Sequence, residues 1–253
     1  MDRHTISAYI DYQLDRRLAA KTINNHLSAV RCFYDYLKNE EGIAINNPVS
    51  TGRSLRLAQP LPRHLRDHEV VILFSAIKSK RDRAMFMLML RCGLRVAEVA
   101  DLTVEAVDLR HSRLYVYSGK GGKDRVVYLS NDAARALTEY LQIRRPLVRT
   151  KKLFLVEKGR CRGKPVSVRG IQKRIEHYAH ECGLDVSCHQ LRHTMATQLL
   201  NADADLVTIQ ELLGHMRIKT TQRYCRVSNP KVQRDYQKAM ELIMARTARA
   251  PRG

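Results

Sequence analysis

The sequence contains no tryptophan, and only four phenylalanines and seven prolines in 253 residues. Long apolar runs are missing as well. Nothing approaches the roughly 18 apolar residues of a membrane span, and the 44% of apolar residues fall in short segments that suit buried cores. The opening MDRHTISAYIDYQLDRR is charged throughout and has no apolar centre of a secretory signal. The protein is therefore expected to be soluble and cytoplasmic. Its length suits one large domain or two modest ones.

Paired cysteines are also lacking. Cys32, Cys92, Cys161, Cys182, Cys188 and Cys225 form no CxxC pair. The closest approach to a metal set is His177, His180, Cys182 and Cys188 in HYAHECGLDVSCHQLRH, which lacks the paired ligand spacings of structural zinc. Reduced thiols and no bound metal are expected. A phosphate-cradling Walker loop is missing too: in GKGGKDR, residues 119–125, Lys123 is followed by Asp124, not by Ser or Thr at the required spacing. ATP binding is not supported, and no cofactor is expected.

Acidic residues are scarce: 25 Asp and Glu face 45 Lys and Arg, for a net charge of +20. Residues 1–60 supply only +2 of this and the remainder +18. The densest basic run, Arg144 to Arg174, holds twelve basic residues and the single acid Glu157. Leu153, Phe154 and Val156 interrupt it, so it is expected to fold into a basic surface. Such a surface fits a polyanion, most simply nucleic acid.

Along the chain, Ile6, Ile10 and Leu14 recur at helical spacing, and Ile23, Leu27, Val30, Tyr34 and Leu37 mark one face of a second helix. Gly42 and Pro48 end it. STGRSLRLAQPLPRH has two prolines and little periodicity and reads as an interdomain linker, with the boundary near 50–66. DHEVVILFSAIKS predicts an amphipathic helix with Asp67 as its N-cap, and AMFMLML, 84–90, a helix buried on every side. RLYVYSGKGGKDRVVYLS predicts a β-hairpin, and LFLV at 153–156 a further strand. Helical periodicity returns from Ser167 and ends in a helix over 230–246. The fold class is mainly α with a small antiparallel β-sheet.

Four stretches carry polar groups that a core does not need. In RCGLRVAEVADL, Gly93 breaks the buried helix and Arg95 opens a new one, with Val96, Val99 and Leu102 inward. Arg95 suits either an ion pair with Glu98 or a phosphate. GKGGKDR places Lys120 and Lys123 at the hairpin tip. In SCHQLRHTMATQLL, His189 and Arg192 share one helix face, while Leu191, Met195 and Leu199 form a second stripe able to face the core. In IQELLGHMRIKTTQRY, Gly214 ends the helix Val207 to Leu213 and holds His215 at that end, with Tyr224 nine residues on. Each stretch alone also fits an ordinary surface.

Arg95, Lys120, His189-x-x-Arg192, Gly214-His215 and Tyr224 occur in the order and approximate spacing of the tyrosine recombinases, and the chain resembles the Xer-like and phage or mobile-element integrases of that family. GLRVAEVADLTVEAVDL, GKGGKDRVVYL, HQLRHTMATQLL and ELLGHMRIKTTQRY each resemble a family block, and KTINNHLSAVRCFYDYL resembles the helical core-binding domain. The resemblance implies two domains: residues 1–52, core-binding and SAM-like; a linker, 53–66; and a catalytic domain, 67–253. The first is expected to be short and to lack an arm-site-binding domain, and Cys225 beside the tyrosine has no assigned role.

The resemblance further implies a site-specific recombinase or integrase that works without ATP or metal. Attack on a phosphodiester adds negative charge to the non-bridging oxygens, which arginine forks suit. Arg95 and Arg192 are then expected to clamp the phosphate, with His215 as a third donor. Tyr224 is the expected nucleophile, forming a 3′-phosphotyrosyl link. Ionising a phenol of pKa near 10 at pH 7 costs about 4 kcal/mol, which the neighbouring cations and a proton acceptor, His189, must offset. Lys120 is expected to protonate the departing 5′-oxygen. The implied partner is double-stranded DNA with an inverted-repeat site, bound by four protomers, with helix 230–246 expected to join neighbours. The rivals are a type IB topoisomerase, which shares this phosphotyrosine chemistry but relaxes DNA without exchanging partners, and a DNA-binding protein that keeps the fold without catalysis.

Overall fold

A computed structural model describes residues 2–49, 54–56, 63–117, 124–144 and 150–214. Contacts divide the chain into two units, Met1–Pro60 and Leu61–Gly253.

In the first unit, α1 (Arg3–Asp15) starts at Asp2, whose carboxylate accepts from the Thr5 amide at 2.8 Å. It packs on α2 (Ala20–Asn39) through Ile6, Ile23 and Leu27, joined by Val49 from the following segment. The return of the chain is tied down by Asn24, whose side chain bonds both the amide and the carbonyl of Leu55, at 2.8 and 2.9 Å. The two helices are those the periodicity predicts.

The second unit is built around α4 (Lys80–Arg91). Ala84 to Leu90 are all buried, so every side of this helix is apolar and must be covered. The cover comes from α5 (Val96–Asp101), α6 (Asn131–Ile143), α7 (Val168–Glu181) and α8 (Cys188–Asn201). The remaining helices are α3 (Asp67–Ala76), which packs on α7, and α9 (Leu206–Leu213), which packs on α8 and on the sheet. The start of α4 carries a buried ionic cluster. The carboxylate of Asp82, fully buried, accepts from Arg81 Nε and Nη2 at 2.8 and 2.6 Å, from Arg174 Nε at 2.7 Å and from the Tyr178 hydroxyl at 3.0 Å. Arg81 reaches on to the Leu155 carbonyl at 3.1 Å.

The sheet is antiparallel and three-stranded: β1 (Val107–Asp108), β2 (Arg113–Val116) and β3 (Arg125–Tyr128), in that order. The hairpin expected from RLYVYS…DRVVYLS is β2 and β3, paired Leu114 with Val127 and Val116 with Arg125. Among the described residues, then, the chain is mainly α with a small antiparallel sheet.

Two local expectations are corrected. Segment 153–156 is not a strand of this sheet: 152 and 155 make only single bridges, to Thr103 and Pro165. Leu153, Phe154 and Leu155 are apolar because they are core residues. Asp67 is the first residue of α3, not its cap; the cap position is Arg66, whose amide is held by the Glu69 carboxylate at 2.7 Å. No described helix is long and apolar enough to cross a membrane.

Candidate active site

The site forms where two helices end. α4 runs out through Cys92 into Gly93, and α9 ends at Gly214. Both glycines have left-handed backbone, φ +66° and +57°, which a residue with a Cβ adopts only at a cost. Gly93 also lacks room: a Cβ there would lie 2.9 Å from Leu213 Cδ2. The two helix ends are therefore in direct contact, with their last carbonyl oxygens needing partners.

Arginines supply them. Arg192, on α8, is 2% exposed; its Nη1 donates to the Gly93 carbonyl and its Nη2 to the Leu213 carbonyl. Arg95 precedes α5 and donates from Nη2 to the Gly214 carbonyl at 3.2 Å and from Nη1 to Glu98 at 2.8 Å. Two arginines 97 positions apart thus bind the carbonyls of consecutive residues, immediately before His215. Arg192 was expected to face away from the core. It lies inside because the two carbonyls satisfy its guanidinium there.

Glu98 organises the second arginine. One carboxylate oxygen takes Arg95 Nη1, and the other takes the Arg95 amide at 2.7 Å. Arg125, on β3, adds a two-pronged bond, Nη1 and Nη2 each 2.9 Å from one carboxylate oxygen, and its Nε donates to the Leu212 carbonyl at 3.1 Å. Burial by itself raises the pKa of Glu98, but the hydrogen bonds and charges of Arg125 and Arg95 outweigh it and hold the group at about 2. Glu98 is an anion at any working pH. Arg95, Arg125, Arg192 and Glu98 together carry a formal charge of +2.

His189 is exposed in the first turn of α8, its ring edge-on to that of His193 with centroids 4.1 Å apart. Of the six expected site residues, the structure brings Arg95 and Arg192 to one place and sets His189 one helical turn before Arg192. Lys120, His215 and Tyr224, and the expected helix 230–246, lie outside the described residues. Buried thiols offer no alternative nucleophile, since burial pushes Cys92 up to about 12 and Cys188 up to about 11. Among the described residues, no group of three or more His, Cys, Asp or Glu is placed to hold a metal.

Arg125 escaped the sequence reading, although a signal was present. On β3 it shares the parity of the inward-facing Val127 and Leu129, so a strand-period reading places a cation on the buried face.

Residues 63–230 match the model of the phage integrase family. The chain belongs to that family. The phage integrase N-terminal SAM-like domain matches residues 1–41. Among curated relatives, this integrase-family chain is 35% identical over 250 residues to the tyrosine recombinase XerC of Pelotomaculum thermopropionicum, covering 94% of this chain and 81% of that one. With the tyrosine recombinase XerD of Pseudomonas putida the identity is 34%, over 91% of this chain and 79% of the relative. Among solved structures, XerA recombinase is similar with a TM-score of 0.64 and 26% identity, over 94% and 84% of the two chains. XerH bound to palindromic difH shares the fold, with a TM-score of 0.77 at 21% identity over 93% and 72%. The integrase-family chain is thus a tyrosine site-specific recombinase, a DNA strand-transfer enzyme.

Proposed function

We propose that the enzyme cuts and rejoins double-stranded DNA at an inverted-repeat site through a 3′-phosphotyrosyl link to Tyr224, using neither ATP nor a metal. The observation that carries this is the convergence of Arg95 and Arg192 on the Leu213–Gly214 carbonyls. It fixes two guanidiniums beside the start of the segment that holds His215 and Tyr224. A guanidinium has five N–H groups; Arg95 spends two on Glu98 and Gly214 and keeps others for a phosphate oxygen. The local charge of +2 suits a phosphodiester whose negative charge rises as it is attacked.

In this reading Arg95, Arg192 and His215 stabilise the five-coordinate phosphorus, and His189 accepts the phenol proton. The Tyr224 oxygen bonds to phosphorus as the bond to the 5′-oxygen breaks, and Lys120 gives that oxygen its proton. The ester energy is retained, so the 5′-hydroxyl of another strand reverses the step and no nucleotide hydrolysis is required. Residues 1–52 serve as the core-binding domain, 53–66 as the linker and 67–253 as the catalytic domain. Four protomers act together in the cytoplasm, with helix 230–246 joining neighbours.

A nicked suicide substrate tests the chemistry. The wild-type protein is expected to form an SDS-resistant adduct and Tyr224→Phe to bind the DNA without one; an adduct from the Phe variant sinks the assignment. A 5′-bridging sulfur, a better leaving group, should rescue Lys120→Ala, and failure to do so moves the acid elsewhere. Deleting 230–253 should abolish synapsis; unchanged synapsis removes that helix from the assembly. Plasmid relaxation without recombinant products would point to the topoisomerase reading, for which the recombinase relatives give no support.

A further inference from the structure

Arg125 makes three charge-assisted or carbonyl-directed bonds, all of them to Glu98 and the Leu212 carbonyl among the described residues. Its side chain is 11% exposed. Nη1 and Nη2 grip Glu98 at 2.9 Å each, and Nε holds the Leu212 carbonyl at 3.1 Å. The chain of α9 closes over it: a Cβ on Gly214 would stand 3.2 Å from both Cδ and Nη1 of Arg125. The glycine therefore leaves room for this guanidinium as well as for the turn. Glu98, 7% exposed along its side chain, is held from the β3 side by this grip. The same carboxylate orients Arg95 through Nη1 and the main-chain amide. A single carboxylate left to one arginine could swing with it. Gripped by two, it becomes a fixed point.

We propose that Arg125 is a positioning residue for strand transfer, acting through Glu98 to set the direction of the Arg95 guanidinium rather than on the scissile phosphate itself. This rests on the reading of Arg95 as a phosphate ligand. Lysine cannot replace Arg125, because a lone ammonium does not make the two parallel bonds to the carboxylate and the third to the carbonyl.

The test is single-turnover adduct formation by the full-length protein on a suicide substrate at saturating DNA, comparing wild type, Arg95→Ala, Arg125→Gln, Arg125→Lys and the Arg95→Ala/Arg125→Gln double variant. Arg125→Gln is expected to slow the step about 10- to 100-fold with DNA affinity within about threefold of wild type, and Arg125→Lys to recover only part of the rate. Because the path runs through Arg95, the double variant should be no slower than Arg95→Ala alone. A methylphosphonate at the scissile position removes one anionic oxygen, so it should shrink the Arg125→Gln defect along with that of Arg95→Ala. Multiplying losses in the double variant, or an Arg125→Gln defect equal on phosphate and methylphosphonate, overturns the proposal and leaves Arg125 as structural glue. Should the Gln variant lack a cooperative melting transition, the same comparisons are made with Arg125→Lys. If Arg95→Ala cleaves at the wild-type rate, Arg95 is not a phosphate ligand and both readings fall.

Discussion

A guanidinium that is 2% exposed needs acceptors within reach, and Arg192 has them in the Gly93 and Leu213 carbonyls. One planar fork spans two helix ends, which an ammonium cannot do. Arg192→Lys is therefore expected to lower adduct formation about 10²–10³-fold while leaving DNA binding within a few-fold, as measured by single-turnover cleavage alongside a mobility shift. A near-wild-type rate would mean that charge alone suffices. The spacing His189-x-x-Arg192 marks both residues in the sequence, yet it does not reveal that Arg192 is buried. Its acceptors lie 99 and 21 positions away, and a pattern within one helix carries no record of them. Glu98 was visible as an ion-pair candidate for the same reason that Arg125 was not: the first is three residues from Arg95, the second belongs to another element.

At the scale of elements, the contact between the ends of α4 and α9 depends on Gly93. Gly93→Ala combines left-handed backbone with a Cβ 2.9 Å from Leu213 Cδ2 and 3.1 Å from Met195 Sδ, and should cost about 2–4 kcal/mol. Gly183 has a similar φ, +64°, but nothing within 4 Å, so Gly183→Ala should cost only about 1–2 kcal/mol. Denaturant midpoints of the two variants decide the matter; equal losses would show that the close approach is unimportant. Elements with a long periodic face, such as α2, were legible because burial on one side dictates every third or fourth residue. Short ones were not. LFLV is compatible with a strand or any buried segment, and β1, two residues long, leaves no periodic trace.

Taken whole, the second unit joins a basic exterior to a core threaded by one helix. The charge asymmetry between residues 1–60 and the remainder was plain from composition, whereas the ionic cluster inside the core was not. Asp82 sits between two arginines and a tyrosine, and removing its charge leaves the buried Arg81 without its counter-charge. Asp82→Asn should cost about 3–5 kcal/mol, read from thermal or denaturant unfolding; a loss below about 1 kcal/mol would mean that the arginines find other partners. The cluster has a further consequence. Ala84 to Leu90 are buried on all sides, so hydrophobicity fixes how deep α4 lies but hardly its rotation about its own axis. Asp82 supplies the missing angular reference. Eleven residues on, about 16 Å along the helix, Gly93 presents its carbonyl to Arg192. A carboxylate buried in the core thus acts as the index pin that sets the bearing of the carbonyl to which Arg192 is bound.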